Sequence, residues 1–149
     1  MKKALLLVVA GLTIFGFTGC KKAIEAAKEQ AVVDAITNGT WYVSKFTEAG
    51  TDITTDFAGW EFVYYQDKTC VANKTGNASV PGTWSYSGDV ATSTVYFTSA
   101  FTGTTAAPAP LPKLASTWTL INQSVATDSK ASYTRTESGV EYKLDLTKK

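Results

Sequence analysis

The chain has 149 residues with 14 basic and 13 acidic side chains, and a formal net charge of +1 gives no field suited to a polyanion such as nucleic acid. Histidine is absent, which removes the commonest zinc ligand and the usual base for serine and cysteine nucleophiles. Two cysteines and 44% apolar residues, with 12% aromatics, describe a globular chain with no disulfide framework.

Met1-Lys2-Lys3 forms a positive start, and the apolar stretch Ala4 to Phe17 is shorter than the roughly 20 residues that span a bilayer. Residues 1–19 therefore read as a secretion signal. Phe17-Thr18-Gly19-Cys20 resembles the lipobox of bacterial lipoproteins, in which a small residue precedes an acylated cysteine. Phenylalanine at the first position replaces the commoner leucine, a form familiar in Bacteroidetes. The resemblance implies that Cys20 is the lipid attachment site and first mature residue, carrying acyl chains such as palmitate. At about 0.8 kcal/mol per buried methylene, several chains hold a domain stably on a membrane without crossing it. Loss of Lys2 and Lys3 would leave 12 basic residues against 13 acidic ones, a net charge of −1. Lys21-Lys22-Ala23 lacks both the aspartate that retains some lipoproteins at the inner membrane and the acidic stretch associated with surface export. The expected location is the outer membrane, on its periplasmic face.

Within the expected tether, residues 20–38, good helix formers run from Lys21 to Thr37, with Ile24, Ala27, Ala31, Ala35 and Ile36 at helical spacing. Asn38-Gly39 stops the helix. Because its apolar face is mostly alanine, two roles stay open: a lid over one end of the following domain, or a partly ordered link to the membrane.

From Gly39 the sequence changes to short alternating runs rich in threonine, tyrosine, tryptophan and valine, the pattern of antiparallel strands. Eight strands are predicted: Thr40 to Glu48, Trp60 to Gln66, Thr69 to Lys74, Gly82 to Ser87, Thr94 to Thr98, Thr117 to Ser124, Ala131 to Thr136, and Val140 to Thr147. In the last, Val140, Tyr142, Leu144 and Leu146 share one face, opposite Glu141, Lys143, Asp145 and Thr147. Residues 39–149 then form an all-β domain, an eight-stranded antiparallel up-and-down barrel behind a short helix. A two-sheet sandwich is the alternative. In the barrel, the long connections Ala49 to Gly59, Thr75 to Pro81 and Ser99 to Ser116 share one rim. That rim is expected to be the open end, and Pro108, Pro110 and Pro112 to extend its longest loop.

Gly39-Thr40-Trp41-Tyr42 at the first strand resembles the Gly-x-Trp motif of lipocalins, and Gly82-Thr83-Trp84-Ser85-Tyr86 repeats the form. Together with the lipobox, the preceding helix and the late strands, the chain is similar to the lipocalin-like lipoproteins of Bacteroidetes over residues 39–149. The resemblance implies a calycin-like barrel whose closed end is plugged by Trp41. Two features depart from it: no Thr-Asp-Tyr-like motif occurs, since Thr94-Val95-Tyr96 lacks the acid, and the only arginine, Arg135, falls at the rim far from Trp41. Lys148 or Lys149 is left to place a cation over that indole.

Trp60, Phe62, Tyr64, Trp84, Tyr86, Trp118, Leu120, Tyr142 and Leu144 are the candidate ligand-binding residues. An eight-stranded barrel is wide enough either to be packed solid by such side chains or to hold one small ligand. Three functions follow: a membrane-anchored, monomeric binder of a small apolar or amphipathic ligand; a non-enzymatic envelope module that docks a protein or glycan through rim loops; and a glycan binder using loop aromatics such as Phe57 and Phe101. No catalytic residue, metal site or cofactor is expected. Asp52 with Asp56, and Glu61, are the carboxylates placed to work as acid and base, but solvated positions account for them equally well. Cys70, left without a partner once Cys20 is acylated, reads as a small buried hydrophobe.

Overall fold

The structure, a computed structural model, describes residues 30–89, 94–102, 107–121 and 129–149. The secretion signal, Cys20 and most of the expected tether helix lie outside the described residues. A helical segment over 30–37 precedes nine strands: β1 (Thr40–Glu48), β2 (Thr51–Asp52), β3 (Trp60–Tyr64), β4 (Thr69–Lys74), β5 (Val80–Asp89), β6 (Thr94–Phe101), β7 (Ser116–Leu120), β8 (Lys130–Glu137) and β9 (Val140–Lys148). All except β2 form a meander in which each strand pairs antiparallel with the next, and β1 pairs with β9. The result is a closed eight-stranded antiparallel barrel, as the alternation predicts. The sandwich alternative is excluded by the β1–β9 pairing.

Alternation carries the apolar set inward along each strand. Trp60, Phe62 and Tyr64 of β3 are buried, as are Trp84 of β5, Phe97 and Phe101 of β6, Trp118 and Leu120 of β7, and Leu144 and Leu146 of β9. In β1 the period of two breaks between Val43 and Lys45, where one extra residue forms a bulge against β9. The bulge lets Phe46 take the inward place that strict alternation would give to Lys45. Tight turns set the hairpins: Ala49-Gly50 between β1 and β2, and Ser138-Gly139 between β8 and β9, have positive φ at both positions. That is the backbone of a two-residue turn whose twist matches the strands.

Several strand ends differ from the sequence expectation. β5 and β6 are each longer, because Pro81 pairs with Val71 inside the ladder and Ser99 and Phe101 continue inward. β7 runs from Ser116 to Leu120; residues 122–124, expected within it, lie outside the described residues. β2 was not predicted, since two exposed residues carry no period.

Candidate functional site: the barrel interior and its two ends

The nine candidate ligand-binding residues come together, and they fill the space they share. Trp60, Phe62, Tyr64, Trp84, Trp118, Leu120 and Leu144 are buried; Tyr86 and Tyr142 pack against them at half-burial. Ring contacts run through the middle: Tyr64 lies 5.5 Å from Phe97, and Phe97 lies 5.3 Å from Tyr133, centroid to centroid. Trp84 adds contacts of 6.0 Å to Tyr64 and 6.2 Å to Phe97. The space between Ile36, Trp41, Tyr64, Phe97, Tyr133 and Leu146 does not admit a water molecule. Small-molecule pockets usually enclose about 300–1,000 Å³.

Burial also fixes the ionisable groups of the interior in their neutral forms. Desolvation pushes the Cys70 thiol up to about 12 and raises the Tyr64 and Tyr133 hydroxyls above their ordinary value. With Cys70 only 1% exposed, its thiolate is neither formed nor reachable at neutral pH.

The helix end is closed by the chain that precedes β1. Val33, Ala35 and Ile36 of the helical segment are buried against the barrel, which answers the lid-or-link question in favour of a lid for residues 30–37. Trp41, 1% exposed, sits beneath it and donates its indole N–H to the Ile36 carbonyl at 2.9 Å. The Lys148 ammonium lies 5.1 Å from the Trp41 ring, so the lysine that ends β9, not an arginine, supplies the cation there.

The loop end, expected to be open, is closed as well. A 3-10 turn, Thr54–Phe57, drives Phe57 inward to stack on Phe46 at 4.9 Å. The proline-rich connection does not run extended: it makes a second 3-10 turn, Leu111–Lys113, and buries Leu111 completely and Leu114 to 3% exposure. Three donors hold the Leu114 carbonyl: the Ser116 amide at 2.8 Å, the Ser99 hydroxyl at 3.0 Å and the Trp118 indole at 3.1 Å. Phe57 and Phe101, proposed from sequence as sugar platforms, are both buried.

Around this plug lies a polar cluster. The Arg135 guanidinium is 4.8 Å from the Trp118 ring and 4.0 Å from the Tyr142 ring. It donates to the Ser116 hydroxyl at 3.1 Å and the Lys113 carbonyl at 3.4 Å, and pairs with Glu137, while its buried Nε has no partner. Lys113 pairs with Glu48, whose other oxygen accepts from the Tyr142 hydroxyl at 3.3 Å. The Lys113 hydrogen bond holds the Glu48 carboxyl below the usual range, helped by Tyr142 and Arg135. Sequence reasoning placed Arg135 at this rim but did not join it to Trp118, Tyr142 and Lys113. A sole arginine among many lysines was the available signal, since a planar cation is chosen where stacking matters.

Two of the three candidate carboxylates have structural partners, and Asp56 is exposed. Asp52 caps its own turn, accepting from the Thr54 hydroxyl at 2.6 Å and amide at 2.9 Å, and these bonds lower its pKa. Glu61 pairs with Lys149 at 2.6 Å. Among the described residues no group of three or more metal-ligating side chains converges.

Fold and site thus define a solid, closed β-barrel with both ends covered by its own chain. No protein-family model matches the sequence, and no curated protein matches it. Among solved structures the chain is similar to a DUF4847 family protein from Bacteroides vulgatus, with a TM-score of 0.44 and 16% identity over 78% of this chain and 96% of the other.

Proposed function

We propose that the protein is a non-enzymatic envelope lipoprotein of lipocalin-like type, held by an acylated Cys20 on the periplasmic face of the outer membrane. Its barrel acts as a rigid module that docks a protein or envelope polymer through the loop-bearing rim. The observation that carries this reading is the filled interior: the residues that could line a ligand site belong to one packed core or lie against it. Loops pinned by Arg135, Glu48 and Lys113 lose little freedom on binding, which favours a partner that meets a preformed surface. An apolar or amphipathic ligand inside the barrel is the second reading, supported by the lipocalin resemblance. It requires Leu111 and Leu114 to leave the mouth.

Native mass spectrometry of the lipoprotein extracted gently from its host envelope separates the two. A mass that corresponds to protein and anchor alone, with tryptophan emission unmoved by fatty acids and sterols, is the expected result. A small molecule that co-purifies and is lost on unfolding would overturn the docking-module reading.

A further inference from the structure

Large apolar side chains remain exposed at one end of the barrel. Among the described residues they are Tyr42, Tyr65, Tyr96 and Ile121, at 39%, 46%, 41% and 58% exposure. Tyr42 is the third residue of β1 and Tyr96 the third of β6, and both strands begin at the helix end. Tyr65 directly follows β3 and Ile121 directly follows β7, and both strands finish there. Since β1 and β3 are neighbours, and β6 and β7 lie across the barrel from them, the four residues form a girdle rather than a patch. Lys130 at the start of β8 and Lys148 at the end of β9 stand on the same rim. At the loop end, by contrast, Phe57, Leu111 and Leu114 are all turned inward.

This is also the end from which the chain runs back toward Cys20. Ten residue steps separate Cys20 from Gln30, a reach of no more than roughly 35 Å even when fully extended. An acylated Cys20 therefore keeps the helix end within a molecular diameter of the bilayer. We propose that the girdle seats the barrel on the membrane that bears the anchor: tyrosine rings and Ile121 enter the headgroup layer, and the exposed Lys130 places its ammonium group among the lipid phosphates. Tyrosine, with an apolar body and a polar tip, is suited to that layer, and lysine reaches it with an apolar stem. The exposed Gln30 and Asp34 of the helical segment remain in the hydrated part of the same layer. The proposal rests on Cys20 acylation and adds an orientation: the loop rim points away from the membrane, toward a partner.

The test uses the full acylated lipoprotein in phosphatidylethanolamine–phosphatidylglycerol vesicles. Cysteines introduced singly as Tyr65→Cys, Ile121→Cys and, at the loop end, Asn77→Cys are labelled with a polarity-sensitive fluorophore; buried Cys70 does not compete. The expected result is blue-shifted emission at positions 65 and 121, quenched severalfold more by headgroup-nitroxide lipid than emission at 77. Flotation with the vesicles, compared with a Cys20→Ser variant, reports the anchor separately. Protein that floats with all three labels equally water-exposed overturns the girdle alone. Protein that does not float overturns the anchor and the girdle with it; a Cys20→Ser variant that floats equally well overturns the anchor, and the girdle falls too if its labels at 65 and 121 are then water-exposed.

Discussion

Arg135 is the residue on which the loop end turns, because it touches two rings, a hydroxyl and a loop carbonyl at once. A cation on an aromatic face stabilises by about 0.5–2 kcal/mol and a charged hydrogen bond by about 1.5–3, and these overlap rather than add. Arg135→Ala is expected to lower unfolding stability by about 2 kcal/mol or more, read as an earlier urea midpoint. Arg135→Lys should recover less than half of that, since a lysine cannot stack and fork together. A lysine variant as stable as the parent would mean that charge alone suffices. Gly82 supplies a second residue-scale case. A Cβ there would stand 2.4 Å from the Ala100 carbonyl oxygen and 3.0 Å from both Cys70 Sγ and Phe101, inside a strand with no room to shift. Gly82→Ala should therefore destabilise by about 2 kcal/mol, where overpacking costs about 1–3. A neutral effect in thermal unfolding would show that the β5–β6 ladder relaxes around it.

Among the elements, the two 3-10 turns at the loop end do what the sequence did not reveal. Leu111 has no exposed surface, and trimming it leaves a cavity in the core, so Leu111→Ala should cost about 3 kcal/mol in chemical denaturation. If the variant also gains binding of an apolar dye, the plug and a latent interior site are one feature. The Lys113–Glu48 pair that ties this turn to β1 gives it a pH dependence. Because the folded Glu48 carboxyl has a lowered pKa, its contribution is complete above its ordinary 4.5 and is lost as pH falls through the lower folded value. The stability gap between the parent and Glu48→Gln should thus be constant near neutrality and shrink in acid. A gap that widens in acid would reverse the assigned sign. Strands were legible where alternation ran unbroken, as in β4 and β9, whose bounds agree with expectation to within a residue; those of β1 agree despite its bulge. Their partners in the core, Trp60, Phe62, Tyr64, Trp84 and Leu144, were legible for the same reason. Leu111 and Leu114 were not: they sit among prolines in a segment with no period, and only the mouth of the finished barrel gives them an inside. The bulge that rescues Phe46 was hidden likewise, since local spacing does not say which of two neighbours faces in.

At the scale of the whole molecule, everything depends on one non-local pairing. Seven residues of β1 are in register with β9, and the Thr147 hydroxyl reaches Ser44, 103 residues away, at 2.8 Å. Closing that seam removes the last two free edges and seals Trp41, Val43 and Phe46 against Leu144 and Leu146. Every other neighbour in the barrel is also its neighbour in sequence, so the seam carries most of the loop-closure entropy of folding. Two consequences follow together. Refolding, followed by stopped-flow tryptophan fluorescence, should fall in the millisecond-to-second range of non-local β topologies, with Trp41 among the probes. Removal of residues 144–149 should abolish cooperative unfolding altogether: β1 would lose five of its seven β9 partners and β8 four of its eight, and the near-ultraviolet circular dichroism of the packed aromatics should disappear. A truncated chain that keeps that signal and unfolds in one sharp transition would show that the meander is self-sufficient and that closure only trims it. The register makes the first outcome the expected one, because β1 has no strand partner other than β9 along most of its length.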